Sequence, residues 1–128
     1  MTLLTQFAHQ NYLNLETFRK SGAGVKTPVW FAQEGETLYV VTMANSGKVK
    51  RVRREGLVNV AACRMDGKVT GTWTPAQARE VTDPAVSAKV NRLFDRKYGL
   101  LKKLFERQRS SRGAQDTVLE IKLEESQP

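Results

Sequence analysis

Five of the seven residues from Lys48 to Arg54 are basic and none is acidic. The surrounding segment, 45–56, reads as one short helix, with an N-cap candidate at its start, Val49 and Val52 on one face, and Gly56 as a stop. A helix start carries free amide hydrogens and partial positive charge, so it favours Asp or Glu. Lys48, Lys50 and Arg51 sit against that preference. A bound phosphate would satisfy the amides, the Ser46 hydroxyl and the cations together, so Ser46 and Lys48 are candidate anion ligands. Lys48 and Arg51, three apart, share a face. Lys50, Arg53 and Arg54 read as a solvated basic face.

Other side chains with chemical potential are few. Cys63 is the single cysteine and His9 the single histidine. That excludes an internal disulfide, a Cys-and-His zinc cluster, a Ser-His-Asp triad and a Cys-His dyad, and no metal site is expected. Cys63 lies in a β-rich run and reads as a small buried apolar residue. His9, near the terminus, reads as a surface residue. No acid-base pair stands out, so no catalytic side chain is assigned. The 128 residues are 40% hydrophobic and 27% charged, which fits one domain spanning 1–128 with a real core. The net charge of +8 implies attraction to something anionic. No apolar run is long enough to cross a membrane and no basic region precedes one at the N-terminus, so a cytoplasmic location is expected.

The elements that must position these residues are mostly strands. Residues 12–18 read as a strand, 21–24 as a hairpin loop, 27–32 as a second strand, 34–36 as a turn and 37–42 as a third strand, together a meander. After the basic helix, 57–65 is a strand, Asp66-Gly67 a hairpin turn, and 69–81 one or two strands interrupted near Pro75. Asp83 caps and Pro84 opens a helical segment with Val86, Val90, Leu93/Phe94, Leu101 and Leu104/Phe105 at helical spacing. Gly99 divides it, with a second helix over 100–109 and a polar loop over 110–115. That apolar stripe reads as core, and its basic face, 89–112, either as solvated or as attracting an anionic coenzyme tail. Residues 117–123 alternate as a closing strand. The fold class is α+β, mainly β, with the sheet either open or closed as a small Greek-key-like barrel.

Six stretches in this order, Lys26-Thr-Pro-Val-Trp-Phe31, Leu38-Tyr-Val-Val-Thr42, Ser46-Gly-Lys-Val-Lys-Arg51, Val58-Asn-Val-Ala-Ala-Cys63, Lys97-Tyr-Gly-Leu100 and Val118-Leu-Glu-Ile121, carry a resemblance. The chain resembles the pyridoxamine 5'-phosphate oxidase-like, FMN-binding split β-barrel family, with its closest look to the branch of oxidoreductases dependent on the deazaflavin coenzyme F420. The resemblance implies a homodimer with a cofactor, F420 or FMN, at the subunit interface. It implies phosphate contacts from Ser46, Lys48 and Arg51, with Thr42 ending the preceding strand. It also implies that the backbone of Pro28, Val29, Trp30 and Phe31 borders the ring system. Trp73 either stacks on the cofactor from the partner subunit or packs the dimer core. Two departures stand out: the family's arginine before the lysine is Gly47, and its ring-contacting glutamine falls near Gly71. The C-terminal substrate motif of the true oxidases is absent, which argues against pyridoxine metabolism.

Hydride transfer suits a chain without acid-base pairs, because the cofactor supplies the reactive atom. An oxidoreductase acting on a small organic substrate is therefore the leading expectation. The alternative is a carrier or sensor holding FMN or haem without turnover. Nucleic-acid binding, suggested by charge alone, lacks any recognisable motif.

Overall fold

The computed structural model describes residues 3–99 and 115–124. Its first strands are β1 (Tyr12–Phe18) and β2 (Gly24–Trp30), joined by a hairpin in which Arg19 N–H donates to Ala23 O at 2.9 Å and Gly22 takes a positive φ of 92°. That closure starts β2 three residues earlier than expected, at Gly24 rather than Thr27. The chain then breaks at Phe31 and restarts as β3 (Ala32–Glu34), paired with β4 (Thr37–Met43) through a turn at Gly35. The break has a visible cause. The Phe31 N–H donates to the Tyr98 hydroxyl (3.1 Å) and the same hydroxyl lies 2.6 Å from the Phe31 carbonyl, so these backbone groups bond to a side chain instead of a ladder.

Helix α1 (Gly47–Arg54) follows, then β5 (Leu57–Cys63), β6 (Thr74–Val81), helix α2 (Pro84–Tyr98) and β7 (Asp116–Leu123). All seven strands join one antiparallel sheet in the order β2-β1-β5-β6-β7-β4-β3. β2 and β3 thus lie at opposite edges, which corrects the expected meander; the curl of the sheet brings β2 back toward β4, giving a half-barrel.

The concave face holds the main core. Leu13 and Leu15 of β1, Leu38 and Val40 of β4, Val58 and Val60 of β5 and Leu119 and Ile121 of β7 alternate into it, as period-two strands require. Val49 and Val52 of α1 join them, fully or nearly buried, and each such side chain contributes roughly 1.5–3 kcal/mol by leaving water. Helix α2 instead covers the convex face, packing Val90, Phe94 and Tyr98 on Ala32, Tyr39 and Val118. It starts as read: Asp83 Oδ1 accepts from Ala85 N–H at 2.9 Å and Pro84 takes the first position. Gly99 ends it at a φ of 56°. The expected helix over 100–109 and most of the loop after it lie outside the described residues.

Residues 64–73 are not a strand. Only one isolated bridge, Cys63 to Val69, survives there, and β6 begins at Thr74. The reason is a side chain that replaces the ladder: Gln6, from a short 3-10 turn (Leu3–Phe7), accepts from Ala62 N–H (2.9 Å) and Thr72 N–H (3.0 Å) and donates to Thr72 O (3.0 Å). Pro75 does not interrupt β6. It sits where the β7 ladder ends, its carbonyl accepting from Glu124 N–H at 2.9 Å, so the missing N–H forfeits one terminal bond only. Among the described residues no helix is long and apolar enough to cross a membrane.

Candidate functional site

The residues expected to bind an anion come together at the start of α1. The chain leaves β4 at Met43, turns through a bond from Ser46 N–H to Met43 O (3.0 Å), and enters the helix with Ser46 as N-cap. Ser46 has the extended backbone of a cap, yet its hydroxyl makes no capping bond. Its Oγ is buried and has no hydrogen-bond partner among the described residues. A buried acceptor-donor left unmatched costs about 1–3 kcal/mol, so its retention there calls for a partner.

Arg51 folds back over this start. Its Nε donates to Thr17 Oγ1 of β1 at 2.6 Å, and its Nη1 lies 2.8 Å from where a Cβ on Gly47 would stand. The guanidinium therefore occupies the space that a side chain at 47 would fill. Burial, then the nearby charges of Arg19 and Arg54, hold the Arg51 pKa below its ordinary value, although it stays protonated in any physiological range. Arg54 donates to the Phe18 carbonyl, so three guanidinium groups crowd the end of β1. Lys48 stands half-buried in the first turn. Thr42 is 5% exposed near the end of β4, opposite Thr117.

Arg53 is exposed, as expected of a solvated face, and makes an ion pair there. It pairs with Glu80 of β6 through two bonds, at 2.7 and 3.0 Å, while Thr117 Oγ1 donates to the same carboxylate at 2.6 Å. The hydrogen bonds from Arg53 and Thr117 hold Glu80 below the usual carboxylate range. Lys50 is exposed as expected.

A second group lies on the convex face of β1, β2 and β5. Cross-strand register sets it out in three rows: Tyr12, Trp30 and Cys63; Asn14, Pro28 and Ala61; Glu16, Lys26 and Asn59. Over these folds the 64–73 loop. Its tip is fixed by Asn14 Nδ2 donating to Gly67 O at 2.9 Å, and the Trp73 ring faces the Lys26 ammonium 5.2 Å from its centroid. Trp30 is stacked on Tyr98 with centroids 4.3 Å apart and planes 8° from parallel. Val29 points the other way and packs on the concave core. Pro28, Trp30 and Trp73 are thus gathered on one face, while Ser46, Lys48 and Arg51 stand at the helix start, with Arg51 reaching β1 at the concave-side Thr17. Strand β1 joins the two, since Thr17 pairs with Val25, the neighbour of Lys26.

Cys63 is buried, and that burial raises its thiol pKa, with the Asp66 charge adding to the effect, so it is no poised nucleophile. His9 is exposed. No group of three or more metal-ligating side chains occurs among the described residues. Sequence reasoning missed Thr17, Arg19, Asn14 and Gln6. Gln6 fills the place of a side chain at 71, its Oε1 lying 2.0 Å from where a Cβ on Gly71 would stand. No sequence signal marks a residue 65 positions away as its partner.

No family model matches this chain, and no curated protein matches its sequence. Solved structures do. A candidate pyridoxamine 5'-phosphate oxidase from Listeria innocua aligns over 96% of this chain and 89% of its own, with a TM-score of 0.66 and 16% identity. HutZ, the heme storage protein from Vibrio cholerae, aligns over 97% and 87% with a TM-score of 0.71 and 12% identity. An F420 reductase aligns over 94% and 92% with a TM-score of 0.58 and 15% identity. At such identities the likeness speaks for the fold, and it matches the curled seven-stranded sheet and the two helices of the described residues. The chain has the split-barrel fold of the pyridoxamine 5'-phosphate oxidase-like proteins.

Proposed function

We propose that this protein is an oxidoreductase that holds a phosphate-bearing flavin or deazaflavin, FMN or F420, and uses it for hydride transfer to a small organic substrate. The observation that carries the reading is the orphaned Ser46 Oγ at the start of α1, beneath a back-folded Arg51 and beside Lys48. A phosphate there would accept from the Ser46 hydroxyl, the first-turn amides and the two cations at once. Cofactor and site chemistry fit. When bound, the coenzyme supplies the hydride chemistry, and the chain's own residues bind its anionic group, orient its ring and exclude water. The similarity to an F420 reductase supports an enzymatic role.

The choice between coenzymes turns on Gly47, Gly71 and charge. Arg51 returns a guanidinium to the space beside Gly47, and Gln6 fills that beside Gly71, so neither glycine leaves a gap. The net charge of +8 favours F420, whose tail carries several carboxylates. Fluorescence titrations with FMN and F420 at two ionic strengths test this: F420 affinity should fall more steeply with salt. Tight FMN binding with no F420 binding would overturn the preference.

The site belongs to a homodimer in this reading, with the coenzyme at the interface and Trp73 contributing from one subunit. Light scattering should report twice 14.4 kDa, and a monomer with coenzyme bound would contradict it. A second reading, storage of haem without turnover, draws on the likeness to HutZ. Turnover of added reduced coenzyme with an electron acceptor separates the two.

A further inference from the structure

One other buried side-chain atom among the described residues is orphaned: Asn14 Oδ1, on a residue only 5% exposed. Its orientation is fixed, because Nδ2 donates to Gly67 O and a flipped amide would set two oxygens together. Nothing in its row can donate to it. Its cross-strand neighbours are Pro28, which has no N–H, and Ala61, a methyl. The polar groups of the next row are committed: Asn59 Nδ2 donates to Glu16 Oε1 at 3.0 Å, and Lys26 faces Trp73. The surroundings are flat and small. The proline ring, the alanine methyl and Gly67, whose missing Cβ would sit 3.7 Å from both Asn14 Nδ2 and Pro28 Cγ, are in close contact, so a group admitted here must be flat and take the place of the loop tip. Trp73 and Trp30 flank it in the rows on either side.

We infer that Asn14 is a ring-recognition residue: its Oδ1 accepts a hydrogen bond from the imide N–H of a planar heteroaromatic ring inserted between Pro28 and the 64–73 loop. This rests on the coenzyme reading and names the contact that reads the ring. The ring enters by lifting the loop tip, which Asn14 itself holds through Gly67.

The test uses the ring without its phosphate. Wild-type protein is titrated with lumiflavin and with N3-methyl-lumiflavin, which lacks the imide hydrogen. Lumiflavin should bind at least about tenfold more tightly, the discrimination a site built around one buried hydrogen bond gives. Asn14→Leu should erase the difference, a readout that does not depend on its melting temperature, since the substitution removes both the unmatched Oδ1 and the Nδ2 bond to Gly67 O. Equal binding of the two rings by wild type, or no binding of either, overturns the inference, as does an Asn14→Leu variant that keeps the discrimination. Because the wild-type comparison needs no variant, poor folding of Asn14→Leu does not obscure it. Failure of the coenzyme reading looks different: FMN binding no more tightly than lumiflavin, with the imide discrimination intact.

Discussion

The start of α1 and the convex face of β1, β2 and β5 each hold one orphaned buried polar atom, and they are built by opposite means. At the helix start, charge dominates: three arginines crowd the end of β1 with no acidic residue in the first turn. On the convex face the orphan is a neutral amide among proline, alanine, glycine and tryptophan. The first arrangement suits a phosphate, which brings its own charge and many acceptors. The second suits a flat ring, where shape and one matched hydrogen bond decide. A coenzyme with an anionic end and a planar end would need both.

Reversing a charge at the helix start should give the largest effect. Lys48→Glu should weaken coenzyme binding by at least about 2 kcal/mol, from a lost charge-assisted bond and a new repulsion. Stability without coenzyme should stay level or rise, because a carboxylate suits a helix start. Calorimetric titration and thermal melts measure the two; unchanged affinity would move the anion site elsewhere.

The two helix caps sharpen the contrast between a binding group and a structural one. Asp83 makes its capping bond and Ser46 does not. Asp83→Ala should cost about 1 kcal/mol of stability. Ser46→Ala should leave stability level or raise it, because the unmatched hydroxyl is gone, while weakening the coenzyme by about 1 kcal/mol. Equal stability losses in denaturant melts would show that Ser46 is an ordinary cap.

The smallest effect concerns what holds the convex face. Lys97 donates from Nζ to the Phe31 carbonyl at 2.8 Å, and its ammonium lies 3.7 Å from the Phe31 ring centroid. Burial of that end lowers its pKa from 10.5 to about 8. Above about pH 8 the folded chain sheds a proton that the unfolded chain keeps up to 10.5, so this group makes stability rise with pH across that window. Cys63 and Tyr98, both raised by burial, act oppositely but only above their unfolded values of 9.0 and 10.0. Urea midpoints between pH 7.5 and 9 should therefore climb in wild type and flatten in Lys97→Met. The same slope in both would remove Lys97 as the cause.

The helix start could be read from sequence because its chemistry is consecutive: Ser46, Lys48 and Arg51 fall within two turns, and the dipole argument needs no tertiary contact. β1, β4, α1 and the first part of α2 likewise carry local signals, in alternation, caps and Gly99. What failed was non-local. The meander was wrong because Tyr98, 67 residues on, takes the backbone bonds of Phe31. The strand over 69–81 was too long because Gln6 replaces its ladder. Asn14 was passed over since a polar residue in a strand is ordinary until register sets Pro28 and Ala61 beside it. Arg53 is exposed as expected, and its pairing could not be read because Glu80 lies 27 positions away.

The central claim is that the α1 start reads the phosphate and nothing else of the coenzyme. It is tested most directly by measuring each coenzyme against its phosphate-free counterpart, FMN with riboflavin and F420 with its deazariboflavin core, in wild type and in Lys48→Glu. For the coenzyme that binds, wild type should prefer the phosphorylated form by about tenfold or more, as charge-assisted bonds to a phosphate require, and Lys48→Glu should abolish that preference while leaving affinity for the phosphate-free form unchanged. A preference that survives Lys48→Glu, or a phosphate-free form that loses as much affinity as the coenzyme does, would contradict it.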